Sequence, residues 1–180
     1  MGTPHRGSPI ADLFYPLLDG NTSLPLMASV EQQAREFLEN FGISIDGLRD
    51  LTTVLLTAFD HDYIDSNDVS YFWTAGIGRS GQGFSSSVAL LPTYEYMKRT
   101  GKTDDDKNND GAVPLSSASH GEAIGRPWLA DHLDEVGHDL DNLPEGTPKR
   151  FDYLLRYDEI IDRIFHLKKP KKVEKTDGVT

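Results

Sequence analysis

One run of residues, VSYFWTAG at positions 69–76, does most to limit what this chain can fold into. It is dense in β-branched and aromatic side chains and reads as a buried strand. The other clear periodic signals are helical. Residues 28–41 set Val30, Ala34, Phe37, Leu38 and Phe41 on one face, with Gly42 as a stop. A second helix, started by Asp46, carries Leu48, Leu51, Leu55, Ala58 and Phe59, and Tyr63 extends it. A last helix is capped by Thr147 and opened by Pro148, and Phe151, Leu154, Leu155, Ile161, Ile164 and Phe165 line one side. Helices outnumber clear strands, which is unusual for a complete α/β enzyme.

Between these signals the chain reads as connections. Residues 1–9 form a turn-rich loop on Pro4, Gly7 and Pro9, residues 76–87 a Gly/Ser loop, and residues 101–111 a polar loop. Residues 88–99 hold a short helix despite Pro92, helical signals return at 131–136, and AVPL (112–115) is too short to assign. The tail 169–180 has little to bury and is expected to be disordered.

Composition removes several classes of function. No apolar run approaches the roughly 18–20 residues that span a bilayer. A net charge of −11 argues against a nucleic-acid footprint, which would need a basic face. With no cysteine, disulfides and thiolate metal sites are excluded. The opening MGTPHRGSPI has no apolar stretch of a signal peptide, and its loop start suggests a cut chain.

Three stretches could carry chemistry. DKNNDG (106–111) fits the opening of a calcium loop, but Ser117 stands where a bidentate acid belongs, and a solvated Asn/Asp turn is the commoner reading. Ser80 in GRSGQ is similar to a nucleophile elbow, with Gln82 in place of the last glycine. A plain Ser/Gly loop is the better reading. DHLDEVGH (131–138) offers His132, Asp134 and His138 as metal ligands, a general base, or a solvated helix end. Its histidines are six apart and fall on different helical faces, which disfavours a two-histidine zinc site.

Five segments together resemble bacterial true triacylglycerol lipases of the Pseudomonas and Burkholderia type, which are α/β-hydrolases. GTPHRGSPIADLF (2–14) is similar to their loop after the strand that follows the serine elbow. LTTVLLTAFDHDYI (51–64) resembles the segment before their next core strand, and VSYFWTAG that strand. NDGAVPLSS (109–117) resembles their acid loop and DHLDEVGH their histidine loop, with 22 residues from Asp110 to His132.

The resemblance implies a partial α/β-hydrolase fold over residues 1–168, the C-terminal part of the domain. It would hold the later core strands, a helical lid at about 10–45 and the C-terminal helix, without the N-terminal strands and nucleophile elbow. It makes Asp110 the triad acid, His132 the general base, and Asp134 a ligand of a structural calcium. Positions 138 and 142, His138 and Asn142 here, match further oxygen ligands of that ion, and 84–91 lacks the second carboxylate. A lipid or other ester would be the substrate, with contact at a lipid interface, and the family implies secretion. Partners would be the missing N-terminal half and a folding chaperone. The chain alone is then expected to be inactive. The rival readings are a non-catalytic fragment and a calcium-binding module on 104–110.

Overall fold

The computed structural model describes residues 1–19, 31–32, 35–36, 38–39, 42, 44–79, 87–138 and 151–167. The first helix, α1 (Pro9–Leu18), starts inside the stretch expected to be loop. Ser8 caps it by accepting from the Ile10 N–H at 3.2 Å, and Pro9 occupies a first-turn position where its missing N–H costs nothing. The Ser-Pro pair is thus a helix start as well as a turn signal.

The single helix expected after Gly42 is two. Ser44, rather than Asp46, caps α2 (Ile45–Asp50), accepting from Gly47 N at 2.9 Å, and the chain breaks at Leu51 before α3 (Thr53–Asp62). Thr52 makes no side-chain cap for α3. Asp12 of α1 serves instead, its two oxygens accepting from Thr53 N at 2.8 Å and Thr53 Oγ1 at 2.7 Å. Ala11, Leu18, Leu38 and Leu48 form a buried cluster at this junction, flanked by Phe14, Tyr15, Ile45 and Leu51. The expected apolar stripe therefore divides: Leu48 is buried, while Leu55 and Phe59 are exposed.

Of VSYFWTAG, only Phe72–Trp73 forms a strand, β1. It runs parallel to β2 (Glu122–Ala123), in the register Phe72 to Glu122 and Trp73 to Ala123. The pairing continues beyond the strands: Trp128 N donates to Ala75 O at 2.8 Å and Ile77 N to Trp128 O at 2.7 Å. Ala75, Val113, Leu115 and Ala118 pack into a second cluster beneath it, with Trp73, Ile77 and Ala112.

Between the strands lie α4 (Leu91–Thr100), α5 (Asp104–Lys107) and α6 (Leu115–Ala118). Pro92 sits in the first turn of α4, which is why it does not break that helix. The polar loop is partly helical, because Thr103 and Asp106 form a reciprocal capping box around α5. A 3-10 turn (Asp134–Val136) closes on Gly137, and α7 (Tyr153–Leu167) follows. Thr147, Pro148 and the tail from 168 onward lie outside the described residues. The result is a mixed α/β architecture with few strands.

Candidate active site

The site is built where the two parallel strand lines end. Beyond β1, Gly78 N donates to Asn109 O at 2.8 Å, tying the 109–114 loop to the strand end. That loop closes on the Asp110 side chain: Oδ1 accepts from Ala112 N at 2.8 Å and Val113 N at 2.6 Å. Beyond β2, His132 N donates to Asp110 O at 2.9 Å, so the second loop is pinned to the first through backbone before side chains meet.

The side chains then meet. His132 Nδ1 lies 2.8 Å from Asp110 Oδ2. A carboxylate only accepts, so Nδ1 carries the proton of this bond and Nε2 is left to take or release another. Asp110 is 1% exposed while the His132 side chain is 36% exposed, so the acid is enclosed and the ring reaches solvent. Burial alone would lower the imidazole pKa. The Asp110 charge and hydrogen bond, helped by Glu135 and Asp131, outweigh it and raise the pKa to about 9.

Asp131 and Glu135, which the sequence reading did not single out, secure the histidine loop. Asp131 is fully buried; its Oδ1 accepts from Leu133 N at 2.8 Å and Asp134 N at 2.9 Å, and its Oδ2 accepts from Ser87 N. An Asp immediately before a turn is a signal for this kind of cap. Glu135, 2% exposed, reaches back so that Oε1 accepts from Gly76 N at the end of β1. Burial and the neighbouring Asp110 charge raise its pKa and favour the neutral acid. The signal for Glu135 was its spacing, three residues after His132, about one helical turn.

Asp110, His132 and Glu135 each place a ligand-type atom within 4.8 Å of the others; among the described residues no other such acid or imidazole trio occurs. Asp134 is outside it, and its Oδ2 accepts from Asp131 N at 3.0 Å. His138 is exposed and bonds through its backbone N to Leu133 O at 2.9 Å, while Asn142 and residues 84–86 lie outside the described residues. The described residues therefore do not assemble the six or more oxygens that calcium takes. In 106–111 the oxygens point to separate partners: Asp106 caps α5 and accepts from Ser116 Oγ at 2.6 Å, and Asp110 turns to His132. Ser80 lies outside the described residues.

A cavity of about 740 Å³ opens beside His132. Its walls are mainly apolar, with Ile10 and Ala11 from α1, Leu38, Leu48 from α2, Leu90 and Leu133. The His132 imidazole lies at the edge of this mainly apolar space.

No protein-family model matches the chain, and no curated protein does. Solved structures do match. Against Bacillus licheniformis lipase BlEst2 in its mature form the identity is 24% and the TM-score 0.52, covering 77% of this chain and 48% of that one. Against Staphylococcus hyicus lipase the identity is 18% and the TM-score 0.59, covering 93% of this chain and 56% of that one. The chain has the fold of part of a bacterial lipase. It spans about half the length of these two lipases. Among the described residues no helix is long and apolar enough to cross a membrane.

Proposed function

We propose that the chain is the C-terminal part of a serine carboxylic-ester hydrolase of the triacylglycerol lipase kind, with Asp110 as triad acid and His132 as general base. The observation that carries the reading is the 2.8 Å contact from His132 Nδ1 to a fully enclosed Asp110, at the edge of an apolar cavity. The likeness in fold to two bacterial lipases supports it from outside the site. The acid loop NDGAVPLSS and the histidine loop DHLDEVGH lean toward the Pseudomonas and Burkholderia type, and secretion goes with that reading.

In this mechanism His132 Nε2 takes the serine proton as the hydroxyl attacks the ester carbonyl, then gives it to the departing alkoxide. A water deprotonated by the same nitrogen later frees the acid. Asp110 keeps Nδ1–H pointed inward and steadies the imidazolium that forms between those steps. The serine and the oxyanion donors belong to the half of the lipase fold that this chain does not span. On this reading the lid falls at about 10–45, and of its described residues Ile10, Ala11 and Leu38 wall the cavity. Calcium enters no step.

The experiment is hydrolysis of a short p-nitrophenyl ester by the chain complemented with a serine-bearing first half of an α/β-hydrolase. Turnover that requires both His132 and Asp110 supports the reading. Turnover indifferent to either residue ends it.

A further inference from the structure

We infer that Glu135 is a positioning residue for His132: its side chain is a strut between the histidine loop and the end of β1, and Gly2 is the glycine that makes room for it. The inference rests on the reading of His132 as the base and adds a residue that the triad does not include.

The geometry is specific. Glu135 follows His132 by three residues, and its N–H donates to Asp131 O at 3.2 Å, so its backbone belongs to the same turn. Its carboxyl leaves that turn and accepts from Gly76 N, the first peptide group past Ala75, where the β1 line meets Trp128. Its backbone oxygen accepts from Tyr157 Oη of α7 at 3.3 Å. One residue thus joins the histidine loop, the strand end and the last helix. Cutting the side chain would leave the buried Gly76 N–H without its acceptor, and a buried orphan donor of this kind is costly.

The second carboxyl oxygen sits against Gly2. A Cβ on Gly2 would collide with Glu135 Oε2, and would stand 3.1 Å from His132 Nδ1 and 3.2 Å from Asp110 Oδ2. Gly2 also has φ +51°, and its N–H donates to Thr74 O at 3.1 Å, which holds it beside β1. The acid, the base and the strut are therefore packed under one Cβ-free residue.

The test reads the His132 Nδ1–H proton of the 180-residue chain by NMR. This signal lies far downfield when an imidazole is held on a carboxylate. Glu135→Ala should speed exchange of that proton with water by about tenfold or more, as local opening becomes easier. Glu135→Gln keeps an acceptor for Gly76 N and should restore slow exchange. Gly2→Ala should disturb the signal in the parental chain, because the added methyl meets Glu135 Oε2 and crowds His132 Nδ1 and Asp110 Oδ2. An unchanged signal in Glu135→Ala, or a Gln variant no better than Ala, overturns the inference. If Glu135→Ala fails to fold, the Gln and Gly2→Ala variants decide it: a disturbed signal in Gln or an undisturbed one in Gly2→Ala overturns it. Absence of the downfield proton in the parental chain would instead count against the acid–base reading itself.

Discussion

Asp110 divides its carboxylate between two tasks: Oδ1 accepts from the backbone of Ala112 and Val113, and Oδ2 holds His132 Nδ1 at 2.8 Å. The first pair fixes the carboxylate, so the second bond fixes the ring. Asp110→Asn keeps the size and one acceptor but presents an amide where a carboxylate was. In the complemented enzyme the rate should fall by about 10⁴-fold, as when an imidazole is held in the wrong tautomer. Rate against pH should separate this from misfolding. The parental alkaline-rising limb should track a histidine well above 6.5, toward about 9, and the Asn variant should move it down.

The same charges set how stability depends on pH. His132 has a folded pKa raised from 6.5 to about 9, so its contribution is full below 6.5 and is lost as pH rises through about 9. Glu135 is also raised, from 4.5, and its contribution is likewise full below that value and lost on the alkaline side. The slopes share a sign. Melting temperature should fall as pH goes from 6.5 to about 9, and Asp110→Asn should flatten the decline.

Asp12 caps a helix to which it does not belong. Its two bonds to Thr53 replace the cap that Thr52 does not make. Asp12→Ala should destabilise the chain by about 1–2 kcal/mol, the usual cost of a lost helix cap, read from the shift in a urea unfolding midpoint. Asp12→Asn should recover part of the loss.

Much of the site was legible because it is written in local runs. NDGAVP and DHLDEV each specify a turn, and parallel strand lines ending side by side bring Asp110 to His132. What the sequence hid is what depends on distant residues. The α3 cap comes from 41 positions away, so no local pattern announces it. Glu135 looks like one more acid in a polar loop until Gly76 N is found in front of it. VSYFWTAG has the right residue types for a strand, yet Val69 is 53% exposed, because pairing partners reach only the far end of the run. The last helix has the expected apolar stripe, but Leu154 at 61% and Phe165 at 63% exposure face outward. Periodicity locates an apolar face and does not say what covers it.

Calcium should have little effect on this chain. Asp134 already accepts from Asp131 N, and Asp131 ties the histidine loop to Ser87 through protein donors alone. Melting curves in chelator and in millimolar calcium should superimpose, since only binding to the folded state raises the midpoint. A large upward shift that vanishes in Asp134→Ala would establish the site.

The most direct measurement is ester turnover by the complemented chain with and without His132, beside intact-mass analysis of the chain alone after treatment with a serine-directed phosphonate. The account predicts that His132→Ala removes several orders of magnitude of turnover under conditions where the variant's melting curve shows it still folded. It also predicts that the uncomplemented chain takes no adduct. Near-parental turnover in His132→Ala, or an adduct on Ser80 that is lost in Ser80→Ala, would contradict it.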